Sequence, residues 1–294
     1  MKRIVLFVAT NFAIMITLSI VMGLLGVTGY ITSSGINYVA LMVFSLVWGF
    51  GGAMISLLMS RWMAKMAMGV QLVDGRTGQA ELDWLHQTVA SLARKANLPM
   101  PEVGIYDSAE VNAFATGPSK RSSLVAVSSG LMRSMRREEI EGVLAHELSH
   151  VQNGDMVTMT LIQGVVNAFS IFFSRVLANI VRQLVDERIS GLVFLVTTLV
   201  FDIVFSVLGM MVVAWFSRAR EFRADAGAAV LSSRNNMIAA LQRLQANQSL
   251  VDQSQPQLAT MKISGGKATG LRLLMMTHPP LEERIAALQR PTLR

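Results

Sequence analysis

His146-Glu147-Leu148-Ser149-His150 is the stretch on which the reading of this 294-residue chain turns. On an α-helix, positions i and i+4 lie on one face, so the two imidazoles can share one metal ion. Glu147 stands one step round, close to the metal's open position, where its carboxylate can take a proton from water and pass it to a leaving amine. The flanking residues support the helix. Ile140, Val143, Leu144, Leu148 and Val151 form an apolar stripe, and the pattern predicts a helix from about Met135 to Asn153. Ser134 is a candidate cap, Glu138 and Glu139 suit the first turn, and Gly154 is the stop. The alternative is two solvent-facing histidines beside a stray glutamate.

Upstream, residues 61–156 read as soluble. A helical pattern at Glu81–Asn97 (Leu82, Leu85, Val89, Leu92) leads to Pro99 and Pro101. Three β-like runs follow, Val103–Tyr106, Asn112–Thr116 and Leu124–Ser128.

Further out, the chain becomes apolar. Ile4–Leu25 and Ile36–Met59 carry no charge, and each is long enough to cross a hydrocarbon layer of about 30 Å. The first run exceeds a signal-peptide core and no A-x-A-like site follows it, so it reads as an uncleaved anchor. Lys2 and Arg3 precede the first run, and Arg61 and Lys65 follow the second. The excess of positive charge puts both ends in the cytoplasm and the uncharged link Gly26–Gly35 outside. Trp48 and Trp62 stand where interfacial belt residues would, with plain packing the alternative. Two more apolar runs, Met156–Ser174 (broken by Arg175) and Ile189–Phe216, form a second hairpin. In it Gln163, Asn167 and Asp202 would be costly against lipid unless they face protein or water. Residues 217–294 are polar and basic, and Gln245–Gly270, rich in Gln, Ser, Gly and Ala, reads as a mobile loop.

Composition narrows the chemistry. The chain is 52% hydrophobic and 15% charged, against a usual charged share of about 25%, because of the long apolar runs. Its net charge of +7 is carried largely by basic residues flanking those runs. With no basic stripe interleaved with aromatics, no nucleic-acid partner is expected. There is no cysteine, which excludes disulfides, thiolate metal sites and a Cys nucleophile. A metal must therefore be held by histidine and carboxylate. A catalytic zinc site uses three protein ligands and one open position. Beyond His146 and His150, the third ligand can be His86, His278 or a carboxylate. His86, on an amphipathic helix beside Trp84, reads as structural. The segment Arg220-Glu221-Phe222-Arg223-Ala224-Asp225 puts Glu221 and Asp225 on one helical face. Glu221 could bind the ion while Asp225 accepts the second ring N–H of a liganding histidine. The plain alternative is a surface helix with Glu–Arg pairs.

These residues together carry a resemblance. His-Glu-Leu-Ser-His, a hydrophobic hairpin and then Arg-Glu-Phe-Arg-Ala-Asp resemble the HtpX branch of membrane zinc peptidases, of which CAAX prenyl endopeptidases are distant relatives. Asn112-Ala-Phe-Ala-Thr-Gly117 and Thr277-His278-Pro279-Pro280 match further motifs of that group, and the likeness covers essentially the whole chain. It implies endoproteolytic quality control of damaged or misfolded inner-membrane proteins as part of a stress response, with Glu221 as third ligand to one Zn2+ per subunit.

The expected fold is α+β, mostly α: an integral membrane protein whose zincin-like catalytic domain is interrupted by a hydrophobic helical hairpin. Four segments follow: an N-terminal transmembrane hairpin (1–60), the first part of the catalytic domain (61–156), the second hairpin (157–216) and the second catalytic part (217–294). The expected setting is a bacterial inner membrane, crossed more than once, with the catalytic domain in the cytoplasm and with polypeptides, chiefly membrane proteins, as substrates. Two rivals remain open, a silent scaffold with structural zinc and a processing enzyme with one dedicated substrate. An intact Glu147 argues against the first. Zincins commonly hold the peptide as an added strand on an exposed sheet edge, and Asn112–Gly117 reads as that edge, with Asn112 a candidate bond to the substrate backbone. His278, set by Pro279 and Pro280 at a helix start, and Arg284 a little further on are candidates to support the negative oxygen that develops on the attacked carbonyl. His278 could also cap the metal's open position at rest, or simply pack.

Overall fold

The long apolar runs fold as helices, and the short β-like runs between them pair into one sheet. The computed structural model describes residues 2–26, 29–32, 35–254 and 274–290, with only the backbone for 2–11 and 248–254. In chain order the elements are α1 (Lys2–Leu24), β1 (Ile31–Thr32), β2 (Gly35–Ile36), α2 (Tyr38–Met68), β3 (Gln71–Leu72), α3 (Ala80–Lys95), β4 (Glu102–Tyr106), β5 (Ala113–Ser119), β6 (Ser122–Ser128), α4 (Ser129–Ser134), α5 (Arg137–Asn153), α6 (Asp155–Arg182), α7 (Glu187–Leu231), α8 (Arg234–Ser254) and α9 (Leu281–Gln289). The fold is α+β and dominated by helices. Contacts within the chain separate into two units, Met1–Leu58 with Thr158–Val213 and Met59–Val157 with Ala214–Arg294.

The first unit is helical. Among the described residues, α2, α6 and α7 are long and apolar enough to cross a membrane. The α1 residues with described side chains, Phe12–Leu24, are apolar as well. Large apolar side chains of α7, among them Leu192, Leu195, Leu199 and Ile203, lie exposed, as a lipid-facing surface requires. Helices in lipid gain little from apolar burial alone and pack through small residues. Gly49 of α2 shows this: a Cβ there would meet the Ala168 backbone nitrogen at 2.5 Å.

The second unit holds a four-stranded sheet in the order β3-β4-β6-β5. β4 and β6 run parallel, while β5 pairs antiparallel with β6 and forms an edge. Leu124, Val125, Ala126 and Val127 of β6 are all buried, which accounts for a continuous apolar run in a central strand. One face packs on the main core with Leu85, Val89 and Leu92 of α3 and Leu144 and Leu148 of α5. The other is covered by Ala64 and Met68 at the end of α2.

Three expectations are corrected. The helix bearing the histidines begins at Arg137, not near Met135, and Ser134 does not cap it. Ser128 caps the separate α4 by accepting from the Leu131 N–H at 3.0 Å, and Met135 is extended. At the start of α5 the Glu139 carboxylate accepts from the Arg136 backbone N–H at 2.8 Å. Arg175 ends the uncharged run 156–174 but does not end the helix. α6 continues to Arg182, with Arg175 Nη1 2.7 Å from Asp202 Oδ1. Gln245 to Ser254 belongs to α8 rather than to a loop, because the segment carries three Gln and contains no Gly or Pro before Pro256. The rest of that expected loop, 255–270, lies outside the described residues. The pairing of β1 with β2 in the first link had no signal in the sequence.

Candidate metal centre

α5 positions both histidines because its apolar side is locked into the core. Ile140, Leu144, Leu148 and Val151 are buried, which turns His146 and His150 toward the same place. Gly154, at φ 70°, then ends the helix in the left-handed conformation that glycine adopts without strain. The third group comes from α7, an unbroken helix of 45 residues that carries the last apolar run directly into Glu221, fully buried, and Asp225.

One ligand atom from each of His146, His150 and Glu221 can be chosen so that all lie within 4.8 Å of one another. The two Nε2 atoms are 3.1 Å apart, Glu221 Oε1 is 3.3 Å from His150 Nε2, and Glu221 Oε2 is 3.4 Å from His146 Nε2. A zinc ion with bonds of about 2.0–2.1 Å in tetrahedral directions separates neighbouring ligand atoms by about 3.3–3.4 Å, so the spacing fits. Orientation agrees with the spacing. Neither Glu221 oxygen makes a well-aligned hydrogen bond despite its charged neighbours and complete burial. Atoms that converge on a common centre rather than on each other have that geometry. Buried orphan oxygens are costly, and a cation satisfies them.

Each histidine is held from behind. His146 Nδ1 lies 2.9 Å from Asp225 Oδ1, and His150 Nδ1 lies 2.6 Å from Asp155 Oδ2, so each aspartate favours a proton on the Nδ1 that faces it. A proton on Nδ1 leaves the Nε2 lone pair facing the centre. Each aspartate is anchored by an arginine in turn. Arg284 of α9 grips Asp225 with two bonds of 2.6 and 2.8 Å, and Arg223 Nη2 bonds Asp155 Oδ1 at 2.6 Å. Burial pulls the His150 pKa down, but the hydrogen bond to Asp155 and the nearby Glu221 carboxylate outweigh it and push the pKa up to about 9. For His146 the same contest, burial against Asp225 and Glu221, also ends with the pKa raised.

Glu147 is half-buried beside the histidines in sequence. His278 is brought to the group, with Nδ1 3.0 Å from Glu221 Oε2 and a side chain 61% exposed. Arg284 is also there, Nη1 3.3 Å from the same oxygen, but it is buried and committed to Asp225. Asn112 is exposed just before β5, and its backbone N–H donates to Ser128 Oγ at 3.1 Å. His86 is not among the grouped ligands and packs against the turn at Gly75. Sequence reasoning passed over Asp155 and Arg223. Their signal was present: an aspartate directly after the helix stop, five residues beyond His150, and a second arginine in the segment that carries Glu221.

A model of peptidase family M48 matches residues 79–292. The Protease HtpX homolog of Thiobacillus denitrificans is 52% identical over 292 residues, covering 98% of this chain and 99% of its own length. The Protease HtpX of Aeromonas hydrophila is 51% identical over 296 residues, covering 98% and 100% respectively. The crystal structure of S. mikatae Ste24p matches with a TM-score of 0.62 at 21% identity, over 98% of this chain and 64% of its own. That likeness is one of fold.

Proposed function

The chain belongs to peptidase family M48 as a membrane metalloprotease of the HtpX branch, and from that premise we propose that it is a zinc endopeptidase cleaving damaged or misfolded membrane proteins on the cytoplasmic side of a bacterial inner membrane. The observation that carries this reading is the convergence of His146, His150 and Glu221 at tetrahedral spacing. On this reading residues 61–156 and 217–294 form the catalytic domain, and the runs in 1–60 and 157–216 embed it in the bilayer.

His146, His150 and Glu221 would hold one Zn2+ per subunit. Zinc, when bound, supplies a Lewis acid that polarises the scissile carbonyl and acidifies water. Glu147 takes the proton from the attacking water and delivers it to the leaving amine. Asp225 and Asp155 keep both Nδ1 atoms protonated, so both Nε2 lone pairs stay directed at the centre. Arg284 acts through Asp225 as a positioning residue, because its Nε and Nη2 groups are bonded there. His278, exposed at the rim, is the donor available to the oxygen that becomes negative. β5, the edge strand of the sheet among the described residues, can accept the peptide as an added strand, with Asn112 just before its start.

Glu147→Gln tests the reading. It removes the base and leaves the ligands, so zinc should stay bound while turnover on an unfolded substrate falls by about a hundred- to ten-thousandfold. Wild-type turnover in that variant would end the mechanism.

A further inference from the structure

The second apolar hairpin contains polar residues that the peptidase site does not use. In the first unit, α2, α6 and α7 enclose an open cavity of about 400 Å³ lined by Trp48, Gln163, Asn167, Ser170, Asp202 and Ser206, together with three apolar side chains. The spacing is helical: 163, 167 and 170 form one stripe along α6, and 202 and 206 one stripe along α7. Gln163 and Asn167 sit near the middle of the apolar run 156–174, and Asp202 near the middle of 189–216. The cavity is therefore at mid-depth of these spans.

Its internal bonds leave capacity unused. Gln163 Nε2 donates to Asn167 Oδ1 at 2.8 Å, and Arg175 neutralises Asp202 through one oxygen at 2.7 Å. The Gln163 carbonyl, the Asn167 amide N–H groups, the second Asp202 oxygen and the Ser206 hydroxyl have no protein partner among the described residues, and none of these atoms is sealed off. Groups of this kind cost several kcal/mol each in hydrocarbon unless something polar meets them. The volume holds several waters or a polar side chain with fewer.

We propose that this cavity is a recognition site for a polar side chain, a carboxamide or hydroxyl, carried at mid-depth by the transmembrane helix of a substrate. It rests on the reading above that the substrates are damaged or misfolded membrane proteins, and it supplies a reason for their selection. In an assembled membrane protein, a polar side chain within the bilayer is buried against a partner helix. In a misfolded or orphaned one it faces lipid without a partner. A protease that offers unpaired donors and acceptors at the same depth captures that helix and leaves correctly assembled helices alone. Trp48, read from the sequence as an interfacial residue, instead lines this cavity and provides a flat apolar wall beside these polar groups.

The test uses the full chain, zinc-loaded and reconstituted in phosphatidylcholine vesicles. Two single-span substrates share one cleavable segment and differ only at mid-helix, Asn in one and Leu in the other. A soluble unfolded protein serves as a third substrate. The expected result is a KM about three- to tenfold lower for the Asn substrate with similar kcat, in line with interhelical hydrogen bonds in bilayers. Asn167→Leu should bring the ratio of the two KM values to about one, and Ser206→Ala should reduce it independently. Zinc content and melting temperature report on folding. Equal KM values in the wild type, or a preference that survives Asn167→Leu, overturns the proposal while cleavage of the soluble substrate leaves the peptidase reading standing. Failure of the wild type to cleave any of the three overturns both.

Discussion

At the scale of single residues, the centre is two parallel relays, His146–Asp225–Arg284 and His150–Asp155–Arg223. The aspartates together with Glu221 decide how the metal-free site behaves with pH. A histidine whose folded pKa is raised from 6.5 to about 9 stabilises the fold fully below about pH 6.5 and loses that contribution as pH rises to about 9. Chelator-stripped protein should therefore melt at progressively lower temperature between pH 6.5 and 9, and zinc should restore the loss. Melting temperatures that climb across that window would contradict the assignment. Zinc binding must also displace those protons. Asp155→Asn removes the charge behind His150 and should weaken zinc affinity about ten- to a hundredfold, as measured by competition with a chromophoric chelator. Unchanged affinity would reduce Asp155 to a helix-start residue.

At the scale of elements, three helices have to meet closely for the centre to exist: α5 with the histidines, α7 with Glu221 and α9 with Arg284. Gly227 of α7 makes one of these approaches possible, since a Cβ there would lie 2.7 Å from Ser149 Oγ, between the two histidines in sequence. Gly227→Val should force α7 away from α5 at a cost of about 1–3 kcal/mol. It should lower zinc affinity more than a surface substitution of equal destabilisation does. Thermal melting together with zinc titration checks this, and retained affinity would show that α7 does not set the position of Glu221. The start of α9 is explained by its prolines. Pro280 stands at the cap, and Leu281, Ile285 and Leu288 turn inward, so Arg284 on the same side reaches Asp225.

At the scale of the whole molecule, the constraint is topological. His146 precedes α6 and α7 and Glu221 lies near the end of α7, yet the two side chains share one centre. The chain must therefore cross the bilayer an even number of times between them. The proposed side rests on Lys2, Arg3, Arg61 and Lys65, which flank the first two apolar runs. Activity reporters fused after Arg61 and at Arg294 should both register the cytoplasm. A split result, one in and one out, is incompatible with a shared site.

Local order in the sequence determined much of this protein. Period-3.6 apolar stripes marked α3 and α5, short β-rich runs marked β4, β5 and β6, and uncharged stretches marked the long helices, because each pattern reflects what a single element must bury. The i, i+4 spacing of His146 with His150, and of Glu221 with Asp225, placed each pair on one helical face for the same reason. Tertiary structure alone decided which partner each side chain met. Asp155 finds Arg223 across 68 positions and Asp225 finds Arg284 across 59, and no local period encodes such a separation. It also decided that Arg175 continues a helix rather than ending one, because its charge is met by Asp202 on a neighbouring helix. The same holds for the polar stripes of α6 and α7, which enclose a cavity instead of facing lipid. Local spacing sets the face on which a side chain lies, and only packing between distant elements sets what that face touches.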